Sequence, residues 1–194
     1  MLDISNFPWA ECAITENRVM YQNDSLSLRR TKRGTGTHRY EFELVTVEME
    51  MKVGRGVMAK LSAAVDDVIT FVHPRLSFTQ GTEPASKIQA YGSNNAGSKS
   101  LSLISAEPWQ LFAGDYIQLD NDTKVYQVAT DTLLQTGNQT IDLTSELRRS
   151  VTAGTDIVAN DVTWHLQSNG AIETSMVASD NLDMVLTLVA VEKL

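Results

Sequence analysis

Few residues in this chain are of a type and spacing that could do chemistry. His38, His73 and His165 each stand without a histidine, cysteine or carboxylate at ligand spacing such as i, i+4 on a helix, so no metal site is expected. Cys12 has no C-x-x-C partner and no nucleophile-elbow surroundings, which predicts a buried or idle thiol. Glu48 and Glu50 in VEMEM share one strand face, whereas a glycosidase pair must oppose its carboxylates across a cleft; a solvent-facing strand is expected. Asp66 and Asp67 are adjacent, so they do not share a helix face and read as solvated surface. There is no G-x-S-x-G, no G-x-x-x-x-G-K-[ST] and no strand–G-x-G-x-x-G–helix. Gly34-Thr35-Gly36 has no helix behind it to present amides to a phosphate. Gly114-Asp115, within LFAGDYIQLDNDTKVYQV, reads as a backbone corner followed by a strand, a turn at Asp120-Asn121-Asp122 and a second strand. No catalytic residue, metal or cofactor is expected, and the chain reads as a non-enzyme.

The elements that would hold such residues point to a mainly β protein. In a chain of 194 residues there is room for one large domain or two small ones. A net charge of -8 argues against general duplex-DNA binding, which needs Lys and Arg on phosphates. The start, MLDISNFPWAEC, lacks a basic stretch before an apolar core, so a secretory signal is not expected. No run approaches the roughly 18 apolar residues of a membrane helix, and membrane insertion is not expected.

The first segment reads as polar and turn-rich. The alternation of SLSLRRTKR and HRYEFELVTVEMEMKV about GTGT predicts a hairpin with strands at about 25–33 and 38–52. In the second strand the apolar face moves from Tyr40, Phe42 and Leu44 to Val45, Val47, Met49 and Met51. Either a β-bulge or a strand that leaves its core to pack on a neighbouring subunit would do this. The spacing of Val57, Leu61, Ala64, Val65, Val68 and Val72 predicts an amphipathic helix over about 56–72, stopped at His73-Pro74. Short strands follow at Ile88–Tyr91, Leu101–Ile104, Tyr116–Leu119, Val125–Ala129 and Ile141–Leu143, the pattern of a small barrel or sandwich. Longer strands are expected at Val162–Leu166 and Ala171–Val177. Between Met184 and Val191 only Thr187 is polar, so a last strand covered on both faces is expected to pair centrally with the strand at 38–52. That pairing makes 83–160 an inserted domain between 1–82 and 161–194.

One patch stands apart. RRTKRGTGTHR carries Arg29, Arg30, Lys32, Arg33 and Arg39, five of the chain's sixteen Lys and Arg. It suits an acidic partner, such as another copy of the chain; solvated charges that block edge aggregation, or phosphate contact, are the other readings.

GSKSLSL, LFAGDYIQLDNDTKVYQV and QTIDLTSELRRSVTAGTDIV, and more weakly HRYEFELVTVEM with the helix and last strands, carry a resemblance. In pattern and order the chain resembles the distal tail proteins of long-tailed bacteriophages (siphophages), of the compact two-domain kind. The resemblance implies a tail-tube-like β-sandwich with one flanking helix and an inserted OB-like barrel. It implies six copies in a ring that joins the tail tube to the baseplate or tip and lets DNA pass through its lumen without specific binding. Its partners would be itself, the tail-tube protein and a tip or hub protein, in a virion component made in the host cytoplasm. Under that resemblance Arg29, Arg30, Arg33, Arg39, Val45, Val47, Met49 and Met51 are subunit-contact candidates. Two other readings stay open. One is a tail-tube or terminator subunit. The other is a carbohydrate-binding module, with Trp109, Tyr116 and Tyr126 either as barrel ligand contacts or as core packing.

Overall fold

A computed structural model describes residues 1–24, 30–169, 172–177 and 183–193, with side chains placed for all of these except 19–37 and 176–177. The chain is mainly β, with one helix among the described residues. It divides into two compact units, Met1–Ile69 with Leu166–Glu192, and Thr70–His165 with Lys193–Leu194.

The elements, in chain order, begin with β1 (Leu2–Asp3), β2 (Trp9–Asp24), β3 (Arg30–Thr46), β4 (Met49–Glu50) and α1 (Met51–Ala63). Next come β5 (Ile69–Val72), β6 (Ile88–Ala90), β7 (Ser100–Trp109), β8 (Tyr116–Leu119) and β9 (Val125–Gln127). The last are β10 (Gln135–Asp142), β11 (Asp156–Val158), β12 (Thr163–Ser168), β13 (Glu173–Val177) and β14 (Asp183–Glu192).

In the first unit β14 is the central strand. On one side it pairs with β3, from Thr187–Val45 to Val191–Glu41, and then with β4. On its other side lie β13 and the end of β12. The pairing of the last strand with the strand near residue 40 is therefore as the apolar pattern predicts. Between the β3 and β4 pairings the register advances by one residue, a β-bulge at 46–48 where Thr46 Oγ1 accepts the Leu186 amide at 3.0 Å. The bulge moves the buried face from Tyr40, Phe42 and Leu44 to Met49, which is why the alternation changes phase.

Several expectations are corrected. The strand expected at 38–52 ends at Thr46, and residues from Met51 are helical. GTGT is not a turn: Gly34 pairs with Met20 inside β3, and the register shifts between Arg18 and Met20, so the glycines accommodate a bulge. The segment expected to be turn-rich is the 16-residue strand β2, and the link 25–29 lies outside the described residues. The helix expected at 56–72 runs from Met51 to Ala63 instead, and Ile69–Val72 is a strand. β-Branched residues crowd 65–72, and in a strand they pack against a sheet instead of a preceding turn. Asp66 and Asp67 thus belong to the exposed turn after the helix.

α1 rests on β14 through Gly54, where an added Cβ would meet Met184 Sδ at 2.7 Å. Met184 shares its β14 face with Leu186, Leu188 and Ala190, each buried. The opposite face is not covered as expected: Val189 is 37% exposed, and Val185, Thr187 and Val191 are half-buried.

In the second unit a six-stranded sheet runs β10-β7-β6-β11-β8-β9. A bridge between Val128 and Leu143 ties the end of β9 to the end of β10, so the two end strands meet. Inside lies one apolar cluster that includes Leu101, Leu103, Trp109, Ile117, Tyr126 and Ile141. The unit extends past 83–160 at both ends. Ser77 Oγ donates to the Val162 carbonyl at 2.6 Å, and Asn160 Oδ1 accepts the Thr79 amide at 3.0 Å, joining its two entry segments.

Candidate functional site

Several groups that could do chemistry have a structural occupation. Asp115 is 2% exposed; its carboxylate accepts the Thr79 hydroxyl at 2.5 Å and the Gln80 and Phe112 amides at 2.8 Å each. Gly114 supplies the positive φ of 99° that turns the chain into β8. The pair is a corner that clamps 79–80 to 112–115. Asp122 likewise accepts the Tyr126 hydroxyl at 2.9 Å and pairs with Arg148, whose own amide donates to Tyr126 Oη at 3.0 Å. Burial pushes the Tyr126 phenol well above its usual range, so it stays protonated and donating.

The histidines do not converge. His38 is buried, with Nε2 2.7 Å from Glu16 Oε1, a carboxylate that β2 brings across from far in sequence. His73 Nδ1 accepts the Arg75 and Leu76 amides at 3.0 and 2.9 Å. Burial and the nearby Arg75 charge hold its pKa below 6.5, and burial lowers that of His165. No group of three metal-ligating side chains occurs among the described residues. Burial pushes the Cys12 thiol up to about 12, far from a thiolate nucleophile at neutral pH. Glu48, in the bulge, and Glu50, just past it, are both exposed.

The aromatic candidates of the barrel are core residues. Trp109 is 0% exposed and donates Nε1–H to the Gly137 carbonyl at 3.1 Å. Tyr116 packs edge-on against Trp164 at 5.2 Å, and Tyr126 is fully buried. None of the three offers a ring to a ligand. Sequence reasoning passed over Tyr91, which is 51% exposed. Inward Ile88 and Ala90 place Gln89 and Tyr91 outward by strand alternation, a signal present in KIQAY.

Among the contact candidates, Val47 is 42% exposed, Val45 and Met51 are half-buried, and Met49 is 6% exposed inside its own unit. Met49 is therefore removed from any contact surface. Arg39 pairs with Glu41 at 3.4 Å. Arg29 lies outside the described residues, as do the side chains of Arg30 and Arg33.

Val45 belongs to a broader surface, the sheet face opposite α1. Cross-strand rows there are Glu11–Val45–Thr187, Ala13–Glu43–Val189 and Thr15–Glu41–Val191. Valines alternate with carboxylates, and neither Glu11 nor Glu43 has a cationic partner within 4.0 Å among the described residues. The edge beside it is also open. β2 pairs β3 out to Asp24–Arg30, while β14 supports β3 only along Glu41–Val45. Residues 16–24 and 30–40 thus form a two-stranded ribbon running beyond the third strand, with β2 as the sheet edge.

No protein-family model matches the chain, and no curated protein is significantly similar to it in sequence. No helix among the described residues is long and apolar enough to cross a membrane.

Proposed function

We propose that this chain is a ring-forming structural component of a bacteriophage tail tip, joining the tail tube to the baseplate or tip around a lumen through which DNA passes. The observation that carries the reading is the two-stranded ribbon of β2 and β3. An isolated two-stranded hairpin is marginal in water, so a ribbon of this length calls for a surface to lie on. A second copy of the chain offers one. The ribbon's sequence is rich in Arg and Lys, and the valine face of the same unit is fringed by Glu11, Glu41 and Glu43. Two different patches meeting head to tail generate a ring when the rotation closes. Half-exposed valines add ~1 kcal/mol each on burial, and the charges set register and partner choice.

Val45 and Val47 keep their place as contact residues in this reading, with Arg30, Arg33 and Arg39 on the ribbon. In this reading the barrel, with the resemblance to an OB-like insertion, does no catalysis. The acidic balance of the chain suits a channel that repels duplex DNA. Electron microscopy of the purified protein is the test. Single closed rings with a central opening are expected, of about six copies by the family resemblance. Open filaments would favour a stacking tube subunit, and dispersed monomers would overturn self-assembly.

A further inference from the structure

The barrel's outer surface carries a feature that ring assembly does not use. On β6, β7 and β10 the outward residues form neighbouring rows. Tyr91 stands beside Ser102, which stands beside Thr140; Gln89 stands beside Ile104, which stands beside Asn138. A shallow depression of about 530 Å³ opens at one end of this face, lined in part by Ser86, Lys87, Gln89 and Ile104. Tyr91 lies two residues on from Gln89, about 7 Å further along the same strand face. Its ring is half exposed, and no hydrogen bond holds its hydroxyl among the described residues.

One pair of charges on this face is closed on itself. Lys87 Nζ and Gln89 Nε2 both donate to the Asp156 carboxylate, which holds the acid below and the amine above their usual ranges. What remains is one exposed aromatic face bordered by amide and hydroxyl groups, with the acceptor-only Asp142 carboxylate further along the same β10 face, which repels anions and leaves hydroxyls as suitable donors to it. That combination suits a ligand with an apolar C–H face and many hydroxyls and without net charge. An anionic polymer is disfavoured by a chain of net charge -8.

We infer that the outer face of β6, β7 and β10 is a binding site for a neutral saccharide, with Tyr91 as the stacking platform and Gln89 and Asn138 as hydrogen-bonding partners at its edge. The site differs from the buried aromatics Trp109, Tyr116 and Tyr126, and it stands whether or not the chain forms rings. Stacking contributes through dispersion and C–H contact with the ring, so Phe should replace Tyr91 with modest loss and Ala should not.

Saturation-transfer NMR on the full-length protein tests this with maltotriose, triacetylchitotriose and globotriose as probes. Transfer to the C–H protons of at least one trisaccharide is expected. It should weaken about tenfold in Tyr91→Ala, a loss typical of one stacking contact, and persist in Tyr91→Phe. Far-ultraviolet dichroism of both variants checks that the barrel is folded, which exposure of Tyr91 leads one to expect. Absence of transfer with all three probes overturns the inference, and so does equal transfer in Tyr91→Ala. Tyr91-dependent transfer to oligothymidylate alone overturns it in favour of single-stranded nucleic acid.

Discussion

Within Thr70–His165 the end strands β9 and β10 meet at the Val128–Leu143 bridge, and the apolar interior is lined by fully buried side chains. Within the other unit, β2 ends the sheet with a bare edge, and one face of β3 and β14 keeps half-exposed valines. Both units use the same alternation of inward and outward residues. They differ in closure. Where end strands meet they satisfy one another's backbone donors and acceptors, whereas an open edge beside an apolar face is a template for another chain. Under the proposed ring, the contrast assigns the contact between copies to the sheet unit and leaves the barrel to present a surface.

Substitution by a single methyl group sharpens this contrast most. At Gly81 an added Cβ would lie 2.0 Å from the Gln110 carbonyl oxygen, beside the paired backbone of Thr82 and Gln110. Backbone cannot swing aside, so Gly81→Ala is expected to lose about 3 kcal/mol or more in denaturant unfolding. Gly54→Ala meets chiefly the Met184 thioether, a flexible group, and gains helix propensity. Its cost should stay near 1 kcal/mol or below. Equal costs at the two glycines would remove the claim that the barrel is the more tightly determined unit.

Acid should act more gently, and on the barrel unit first. His73 and His165 both have folded-state pKa values held below 6.5, so the unfolded chain binds their protons more readily. Stability is full above pH 6.5 and declines as pH falls below it toward the depressed folded values. Protonating His73 Nδ1 would also break its two amide contacts. In a thermal-unfolding series from neutral to mildly acidic pH, His73→Asn, whose side-chain oxygen accepts the same amides, should show a shallower decline. An identical decline would assign the effect elsewhere.

What the sequence disclosed follows from how locally each feature is written. The β3–β14 pairing was legible because Tyr40, Phe42 and Leu44 alternate cleanly and the last strand is apolar. The bulge was legible as a change of phase, although pairing puts it at 46–48. β2 was not legible, since two register shifts break its alternation and Glu, Asn, Arg and Gln crowd an edge strand. The helix was drawn too far because Val65, Val68 and Val72 fit a helical period as well as a strand. For the candidate site, the corner role of Gly114-Asp115 was readable from turn chemistry. Which aromatics are buried was not, because barrel closure turns Trp109 and Tyr126 inward while Trp164, from far along the chain, packs against Tyr116. The Glu16–His38 contact lies 22 residues apart and depends on that unseen β2 register.

The central claim is that the open valine face of the sheet unit is a contact between copies. Light scattering of the wild-type protein beside Val189→Asp, at low and physiological salt, tests it most directly. Val189 is 37% exposed and faces away from the helix, so the change should leave the fold intact. A wild-type mass near six times 21.4 kDa, falling to the monomer in Val189→Asp and weakening with salt, is the expected result. A wild-type monomer at every concentration, or a variant that assembles as fully as the wild type, would contradict it.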